Sequence, residues 1–176
     1  MKIAILSDIH GNDKALFAVL DRIKQLKVCR IFILGDLVGY YYHPDKVLEM
    51  LEPWDCEFVQ GNHDRMLKTA LDDPTCLDAI GKKYGSGLRL ALDKLDSAQI
   101  DFLINLPTSK KLSCEGHTFC LSHGTPWDQD TYIYPDASDK LLEKCAETDT
   151  DYVLMGHTHY PFVRISQKTL LLNPGS

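Results

Sequence analysis

Short apolar runs recur along the chain, and each gives way at once to polar residues or glycine. Runs of this length are typical of buried strands. Between the first two runs, apolar residues recur at helical spacing over residues 12 to 27, and Asn12 or Asp13 is placed to cap that helix. The predicted strands are Ile3 to Leu6, Ile31 to Leu34, Phe58 to Val59, Thr118 to Leu121, Tyr152 to Met155 and Leu170 to Leu172.

Helical patterns also fill a long excursion, at about 65 to 113, between the third and fourth strands. The excursion is broken at Asp73-Pro74 and at Gly85-Ser86-Gly87, and Ser97 is placed to cap its last helix, which runs to about Asn105. Because strands alternate with helices, the pattern predicts an α/β fold with a largely parallel sheet and a site at the carboxyl ends of its strands. Flanking helices are predicted at Lys46 to Leu51, with proline in the first turn, and at Ser138 to Glu147.

Composition and charge narrow the class of protein. The 176 residues, 44% hydrophobic and 25% charged, predict a single domain over residues 1 to 176 with one sizeable core. The net charge of -6 gives no global attraction to a polyanion, so nucleic acid is not an expected partner. The apolar run at the N-terminus is too short for a signal peptide or a membrane span, so we expect a cytoplasmic protein with no membrane partner. The six cysteines include no C-x-x-C pair and are interpreted as small buried hydrophobes.

Five of the predicted strands end in residues of the types that bind metals, and five of the seven histidines lie in these segments. Taken singly, each is an ordinary turn or cap residue. The carboxyl ends of neighbouring strands meet at one sheet edge, however, and so many buried histidines and carboxylates would be costly to desolvate without a functional role. The segments are Asp8-Ile9-His10, Gly35-Asp36, Gly61-Asn62-His63-Asp64, Ser122-His123-Gly124 and Gly156-His157-Thr158-His159.

The order of these motifs resembles that of the calcineurin-like metallophosphoesterases, and the resemblance runs from residue 7 to the Asn-Pro-Gly-Ser segment that ends at 176. It implies a four-layer αββα sandwich of two mixed sheets flanked by helices, with a metal site at the carboxyl ends of the strands. It also implies two divalent metal ions about 3.5 to 4 Å apart. By motif position, one ion would be held by Asp8, His10, Asp36 and His159, and the other by Asp36, Asn62, His123 and His157.

The site implied by this resemblance would be net positive, because two divalent ions outweigh the charges of Asp8 and Asp36. It could therefore attract a phosphate ester although the whole protein is acidic. The resemblance implies hydrolysis by a hydroxide held between the metals, with His63 as the catalytic residue that assists the leaving group. Asp64 is expected to orient a neighbour or cap a helix. The donor set suits manganese, with iron, nickel or zinc as alternatives.

Two differences from the family pattern bear on which branch the chain resembles. The large Ser/Thr protein phosphatases follow their Gly-Asp motif with an Asp-Arg-Gly element, whereas Leu37-Val38-Gly39 follows Asp36 here. The chain therefore resembles the small prokaryotic phosphodiesterase branch, and a phosphodiesterase is favoured over a protein phosphatase. Relatives usually continue past Asn-Pro-Gly-Ser into further strands, so a small second sheet is expected for a chain that stops at Ser176.

The substrate and the competing functions are left open by the sequence. Two aromatic loops, Tyr40 to His43 and Trp127 to Pro135, could stack on the base of a nucleotide, pack against the core, or form a homo-oligomer contact. A non-catalytic binding or scaffold protein, like a retromer subunit that resembles this family, is the competing hypothesis. A nuclease is disfavoured by the acidic balance. Suitable residues at all seven ligand positions and at His63 favour an enzyme acting on a small phosphoester.

Overall fold

Eight strands form two sheets in the computed structural model, which describes all residues from Met1 to Ser176. The first sheet contains β1 (Ile3–Leu6), β2 (Arg30–Ile33) and β3 (Asp55–Phe58), in that order and all parallel. The second contains β4 (Ser109–Cys114), β5 (His117–Ser122), β6 (Tyr152–Leu154), β7 (Phe162–Ser166) and β8 (Thr169–Asn173). Its order is β4-β5-β6-β8-β7, and its two outer pairs are antiparallel, so this sheet is mixed.

Seven α-helices accompany the sheets. Asn12 caps the first helix, because its Oδ1 accepts a hydrogen bond from the backbone N–H of Ala15 at 3.1 Å. No helix in the chain is long and apolar enough to cross a lipid bilayer. The helices are α1 (Asp13–Gln25), α2 (Pro44–Leu51), α3 (Asn62–Asp72), α4 (Leu77–Tyr84), α5 (Gly87–Lys94), α6 (Ser97–Ile104) and α7 (Asp139–Ala146).

The apolar side chains form three clusters, which corrects the expectation of one core. Side chains alternate between the two faces of a strand, so Ile31 and Ile33 of β2 face the helices while Phe32 faces the second sheet. A third cluster joins the second sheet to α7 through residues such as Leu142 and Cys145. The expected arrangement of two sheets flanked by helices is therefore confirmed, but only the second sheet is mixed, because the three strands of the first are all parallel. The cluster between the sheets contains Phe32, Leu34, Val59, Cys114, Phe119, Leu121 and Leu154.

Four local predictions differ from the structure. Strands β4 and β7 were not expected, and the helical excursion ends before Ser109 because residues 109 to 113 belong to β4. Asp96, not Ser97, caps α6: its carboxylate accepts from the N–H of Gln99 at 2.8 Å. The expectation of a small second sheet is also wrong, since that sheet has five strands and the first has three.

A close contact between two glycines packs the helical excursion against the loop after β2. A Cβ atom on Gly87, at the start of α5, would overlap the carbonyl oxygen of Gly39. Gly39 has a φ of +122°, a conformation that favours glycine, and a Cβ there would lie 2.8 Å from His10 Nδ1 and 2.7 Å from His63 Nδ1. Helix α5, the Gly39 loop and the two histidine rings are therefore stacked with no room for a methyl group between them.

We expect Gly87→Ala to lower the free energy of unfolding by about 1–3 kcal/mol, because the added methyl group meets backbone atoms rather than a flexible side chain. Urea unfolding followed by circular dichroism measures the change. Gly81→Ala is the matched control: a Cβ at Gly81 in α4 meets no atom within 4 Å, so alanine should stabilise the helix by up to about 1 kcal/mol. Equal effects of the two substitutions would contradict this account.

Candidate metal centre

The carboxyl ends of the strands in both sheets bring the predicted ligands to one place. The first sheet supplies residues that follow β1, β2 and β3, and the second sheet supplies residues that follow β5 and β6. All of these side chains are buried except that of His159, which is 39% exposed. The residues are Asp8 and His10 after β1, Asp36 after β2, Asn62 after β3, His123 after β5, and His157 and His159 after β6.

The loops that carry the predicted ligands are rich in backbone conformations with positive φ. Nine residues other than glycine have positive φ, and five of them are predicted ligands. Such conformations are costly for residues with a side chain and persist where the surrounding structure imposes them, often at functional sites. The five ligands are Asp8, His10, Asp36, His157 and His159, with φ between 52° and 66°.

Two buried carboxylates lie among the imidazole rings. Asp36 Oδ2 is 3.4 Å from His123 Nε2 and 3.6 Å from His10 Nε2. Asp8 Oδ1 is 3.3 Å from His159 Nε2 and has no hydrogen-bond partner, although it is buried. The potential ligand atoms fall into three overlapping groups, each with members within 4.8 Å of one another: Asp8, His10 and His159; Asp8, Asp36 and His123; and His10, Asp36 and His63.

Backbone carbonyls orient three of the histidine rings. His10 Nδ1 lies 2.9 Å from the carbonyl oxygen of Val38, and His123 Nδ1 lies 2.7 Å from that of Leu34. A carbonyl oxygen only accepts, so both Nδ1 atoms carry hydrogen and both Nε2 atoms face the centre. His157 is turned the other way, because its Nε2 donates to the carbonyl oxygen of Asp130 at 3.2 Å.

Asn62 and His157 join the centre differently from the other predicted ligands. Asn62 Oδ1 lies 2.9 Å from His123 Nε2. His157 belongs to none of the three groups; its ring lies 4.8 Å from that of His123 and stacks on Tyr132 at 3.9 Å. The structure thus gathers six of the seven predicted ligands through polar contacts and places His157 beside them.

Burial and neighbouring charges act in opposite directions on the pKa values of the centre. Burial lowers the pKa of His63 to about 4, against the opposing effect of the Asp36 carboxylate. Burial also disfavours the charged form of His123, but the carboxylates of Asp36 and Asp8 outweigh it and raise the pKa to about 9. The pKa of Asp36 falls well below its usual value, because His123 and His10 outweigh the effect of burial. Positive charge is therefore stabilised at His123, beside the carboxylates, and disfavoured at His63.

These contacts fit a divalent cation. His10 Nε2 carries a lone pair, because Nδ1 of the same ring donates to Val38, and it lies 3.3 Å from His159 Nε2; a cation at this point would be bound by both nitrogens when His159 is neutral. His123 Nε2 likewise faces oxygen atoms of Asn62 and Asp36. Nitrogen and oxygen ligands of these kinds suit manganese, iron, nickel and zinc. Unpaired Asp8 Oδ1 is a further acceptor without a donor.

Asp64 holds the loop that carries Asp36. Its carboxylate is buried and accepts hydrogen bonds from the N–H groups of Asp36 at 2.8 Å, Leu37 at 2.9 Å, Val38 at 3.2 Å and Gly61 at 2.9 Å. Burial and the nearby Asp36 carboxylate raise the pKa of Asp64, and the bonds from Gly61 and Val38 oppose that rise. The expectation that Asp64 orients a neighbour is confirmed, since it joins the loop after β2 to the start of α3.

Asn173 holds the loop that carries His157 and His159, a role that the sequence did not indicate. Its Nδ2 donates to the carbonyl oxygen of Gly156 at 2.6 Å and to Thr158 Oγ1 at 3.0 Å. The N–H of His157 in turn donates to Asp8 Oδ2 at 3.0 Å. The loop after β6 is thereby attached both to β8 of its own sheet and to the end of β1 in the other sheet.

Comparison with known proteins agrees with this geometry. Residues 1 to 176 match the Calcineurin-like phosphoesterase superfamily domain. The chain belongs to this superfamily. Membership of the calcineurin-like phosphoesterase superfamily supports phosphoester hydrolysis as the general class of activity and divalent metal ions as cofactors.

Individual relatives are similar over nearly the whole chain. An uncharacterised protein of Methanocaldococcus jannaschii is 34% identical over 98% of this chain and 68% of its own length. A probable metallophosphoesterase of Methanothermobacter thermautotrophicus is 30% identical over 100% of this chain and 77% of its own. The crystal structure of a metallophosphoesterase from Sphaerobacter thermophilus matches with a TM-score of 0.79 and 25% identity, over 100% of this chain and 77% of that one.

We expect Asp64→Asn to lower the free energy of unfolding by about 2–4 kcal/mol, because an amide turns N–H groups toward buried N–H groups and leaves some of them unpaired. Urea unfolding in the presence of a chelator measures this loss apart from metal binding. Asp72→Asn is the control on the same helix: Asp72 is exposed and pairs only with Lys68, so its replacement should change stability by less than about 0.5 kcal/mol. A loss of similar size in both variants would refute the bracing role of Asp64.

Proposed function

We propose that this protein hydrolyses small phosphodiesters with two divalent cations held at the centre. The observation that carries the proposal is the position of Asp36, whose Oδ2 lies 3.6 Å from His10 Nε2 and 3.4 Å from His123 Nε2, one proposed ligand of each ion. A carboxylate has two oxygen atoms with lone pairs and can therefore bridge two ions. Asp8, His10, Asp36 and His159 would hold one ion, and Asp36, Asn62, His123 and His157 the other. Manganese is the favoured metal.

The bound cations would supply Lewis acidity, which activates water and neutralises charge on the phosphoryl group. The protein keeps the ligands in place by backbone contacts and limits the access of bulk water. Asp8, Asp36 and His123 are all almost inaccessible to solvent, whereas His159 lies at the open side. A substrate would therefore approach from the side of His159 and Tyr40, where a cavity of about 570 Å³ adjoins Asp8 and His10.

His63 is proposed to donate a hydrogen bond to the departing oxygen of the ester. Its backbone N–H donates to Asp36 Oδ1 at 2.8 Å, which holds the residue against the centre, and its ring lies 4.9 Å from that of His10. No hydrogen bond from the protein holds the ring, whose buried Nδ1 has no partner. Burial lowers the pKa of His63 to about 4, so the donor would be the N–H of a neutral imidazole at neutral pH.

The placement of arginine side chains near the centre favours a diester as the substrate over a monoester. A monoester carries more negative charge at neutral pH and calls for more positive charge around the phosphate. Arg65, the arginine that follows the Asn62 motif, is already paired with Asp130, with one guanidinium nitrogen 2.9 Å from each carboxylate oxygen. No arginine follows Asp36 in its loop either. A singly charged diester therefore matches the site better.

Removal and return of metal test the dinuclear centre. The chelator-treated protein should be inactive on bis-p-nitrophenyl phosphate, and manganese should restore turnover with about two ions bound per chain. Asp36→Asn should abolish both turnover and tight binding of manganese, because the amide removes the bridging charge. Asp21→Asn, on the surface of α1, is the control and should keep both. Full activity without metal, or two tightly bound ions in Asp36→Asn, would disprove the proposed ligand set.

Replacement of His63 tests its role separately from metal binding. His63→Ala should lower kcat on bis-p-nitrophenyl phosphate by about 10²- to 10⁴-fold, because the departing oxygen loses its hydrogen-bond donor. The metal content, measured by elemental analysis, should stay at the wild-type level. His117→Ala removes an exposed histidine at the start of β5 and should leave kcat unchanged. Loss of metal in His63→Ala would instead make His63 a ligand, as its grouping with His10 and Asp36 also permits.

A further inference from the structure

Three tyrosines from separate parts of the chain surround the metal centre; we call them the aromatic rim. Tyr40 lies after β2, Tyr84 ends α4, and Tyr132 lies in the loop after β5. The Tyr40 and Tyr84 rings lie 5.0 Å and 4.8 Å from the His63 ring. The Tyr132 ring stacks on that of His157 at 3.9 Å. The rim therefore flanks both the proposed donor histidine and a proposed ligand.

The rim residues also lie close to one another. The rings of Tyr40 and Tyr84 are 6.0 Å apart, in an edge-to-face arrangement. Lys83 Nζ lies 4.8 Å from the centre of the Tyr84 ring, so a cation stands at the rim of an otherwise acidic protein.

Core packing does not account for the rim. Tyr40 is 41% exposed and Tyr132 is 51% exposed, whereas tyrosines that serve the core are mostly covered. Tyr132 and Tyr134 hold their ring planes within 6° of parallel, with centres 5.8 Å apart. Partly exposed aromatic rings, a nearby cation and the proposed phosphate chemistry suit a ligand that has both a planar ring and an anionic group.

We propose that the aromatic rim stacks on a nucleobase, so that the phosphoester substrate of this protein is a nucleotide. This inference rests on the proposed function, because the phosphate of the nucleotide would lie at the metal centre while its base contacts the tyrosines. Stacking depends on a planar ring rather than on a pattern of hydrogen bonds, so the rim would accept more than one base. Lys83 would add attraction for the anionic part of the ligand.

Isothermal titration of the manganese-loaded protein with AMP and with ribose 5-phosphate tests this inference. Both ligands are monoesters of the kind that hydrolysis of a diester releases, and they carry the same phosphate and sugar and differ in the base. AMP should bind at least about tenfold more tightly, in line with the usual contribution of base stacking on an aromatic side chain. Tyr84→Leu and Tyr132→Leu, made separately, should each reduce that preference several-fold, and circular dichroism checks that both variants are folded.

Tyr42→Leu is the matched control, because Tyr42 is exposed in the same loop as Tyr40 and makes no ring contact with the centre. It should keep the full preference for AMP. Equal binding of the two ligands by the wild type, no binding of AMP, or a preference that survives in both rim variants would overturn the inference. Hydrolysis of bis-p-nitrophenyl phosphate without a preference for AMP would refute nucleobase binding by the rim and leave the proposed function standing. Preference for AMP without hydrolysis would refute the proposed function alone.

Discussion

The burial of two carboxylates, Asp8 and Asp36, is the constraint on which the rest of the structure depends. An isolated charge of this kind is far too costly to bury, so it must be met by positive charge or by hydrogen-bond donors. Three histidines approach these carboxylates within 3.3 to 3.6 Å, and backbone N–H groups supply further donors. The contacts that offset the free-energy cost of burying these carboxylates also make the centre favourable for cations.

Several buried contacts hold this centre in place at some energetic cost. Asp64 accepts hydrogen bonds from the Asp36 loop, and Asn173 donates hydrogen bonds to the loop after β6. Gly87 packs the helical excursion closely against the Gly39 loop. Five predicted ligands have left-handed backbone conformations, which persist only where neighbouring structure outweighs their strain. The helical excursion carries none of the metal-binding motifs, yet its Tyr84 ring lies 4.8 Å from the His63 ring and its Gly87 packs against the Gly39 loop.

The pattern of strands and helices predicted a largely parallel sheet with the ligand-type residues gathered at its strand ends, because strand ends in an α/β fold meet at known edges. The two sheets flanked by helices were expected only from the resemblance of the motifs to the calcineurin-like family. The sequence did not predict β4 and β7, which are edge strands: lysines interrupt β4, and the inter-sheet face of β7 exposes Val163 and Ile165. Nor could it place Tyr84 beside His63, since no spacing rule connects a helix end to a strand end. The four bonds of Asp64 likewise depend on a tertiary contact between two loops.

The metal centre exists only where the two sheets face each other. Of the predicted ligands, Asp8, His10, Asp36 and Asn62 follow strands of the first sheet, and the others follow strands of the second. The distance between these two sets is determined by the apolar cluster between the sheets, in which Phe32 contacts Phe119 with ring centres 5.3 Å apart. Close packing leaves little freedom to move one sheet against the other. The hydrophobic interior therefore stabilises the fold and also sets the distance between the two groups of predicted ligands.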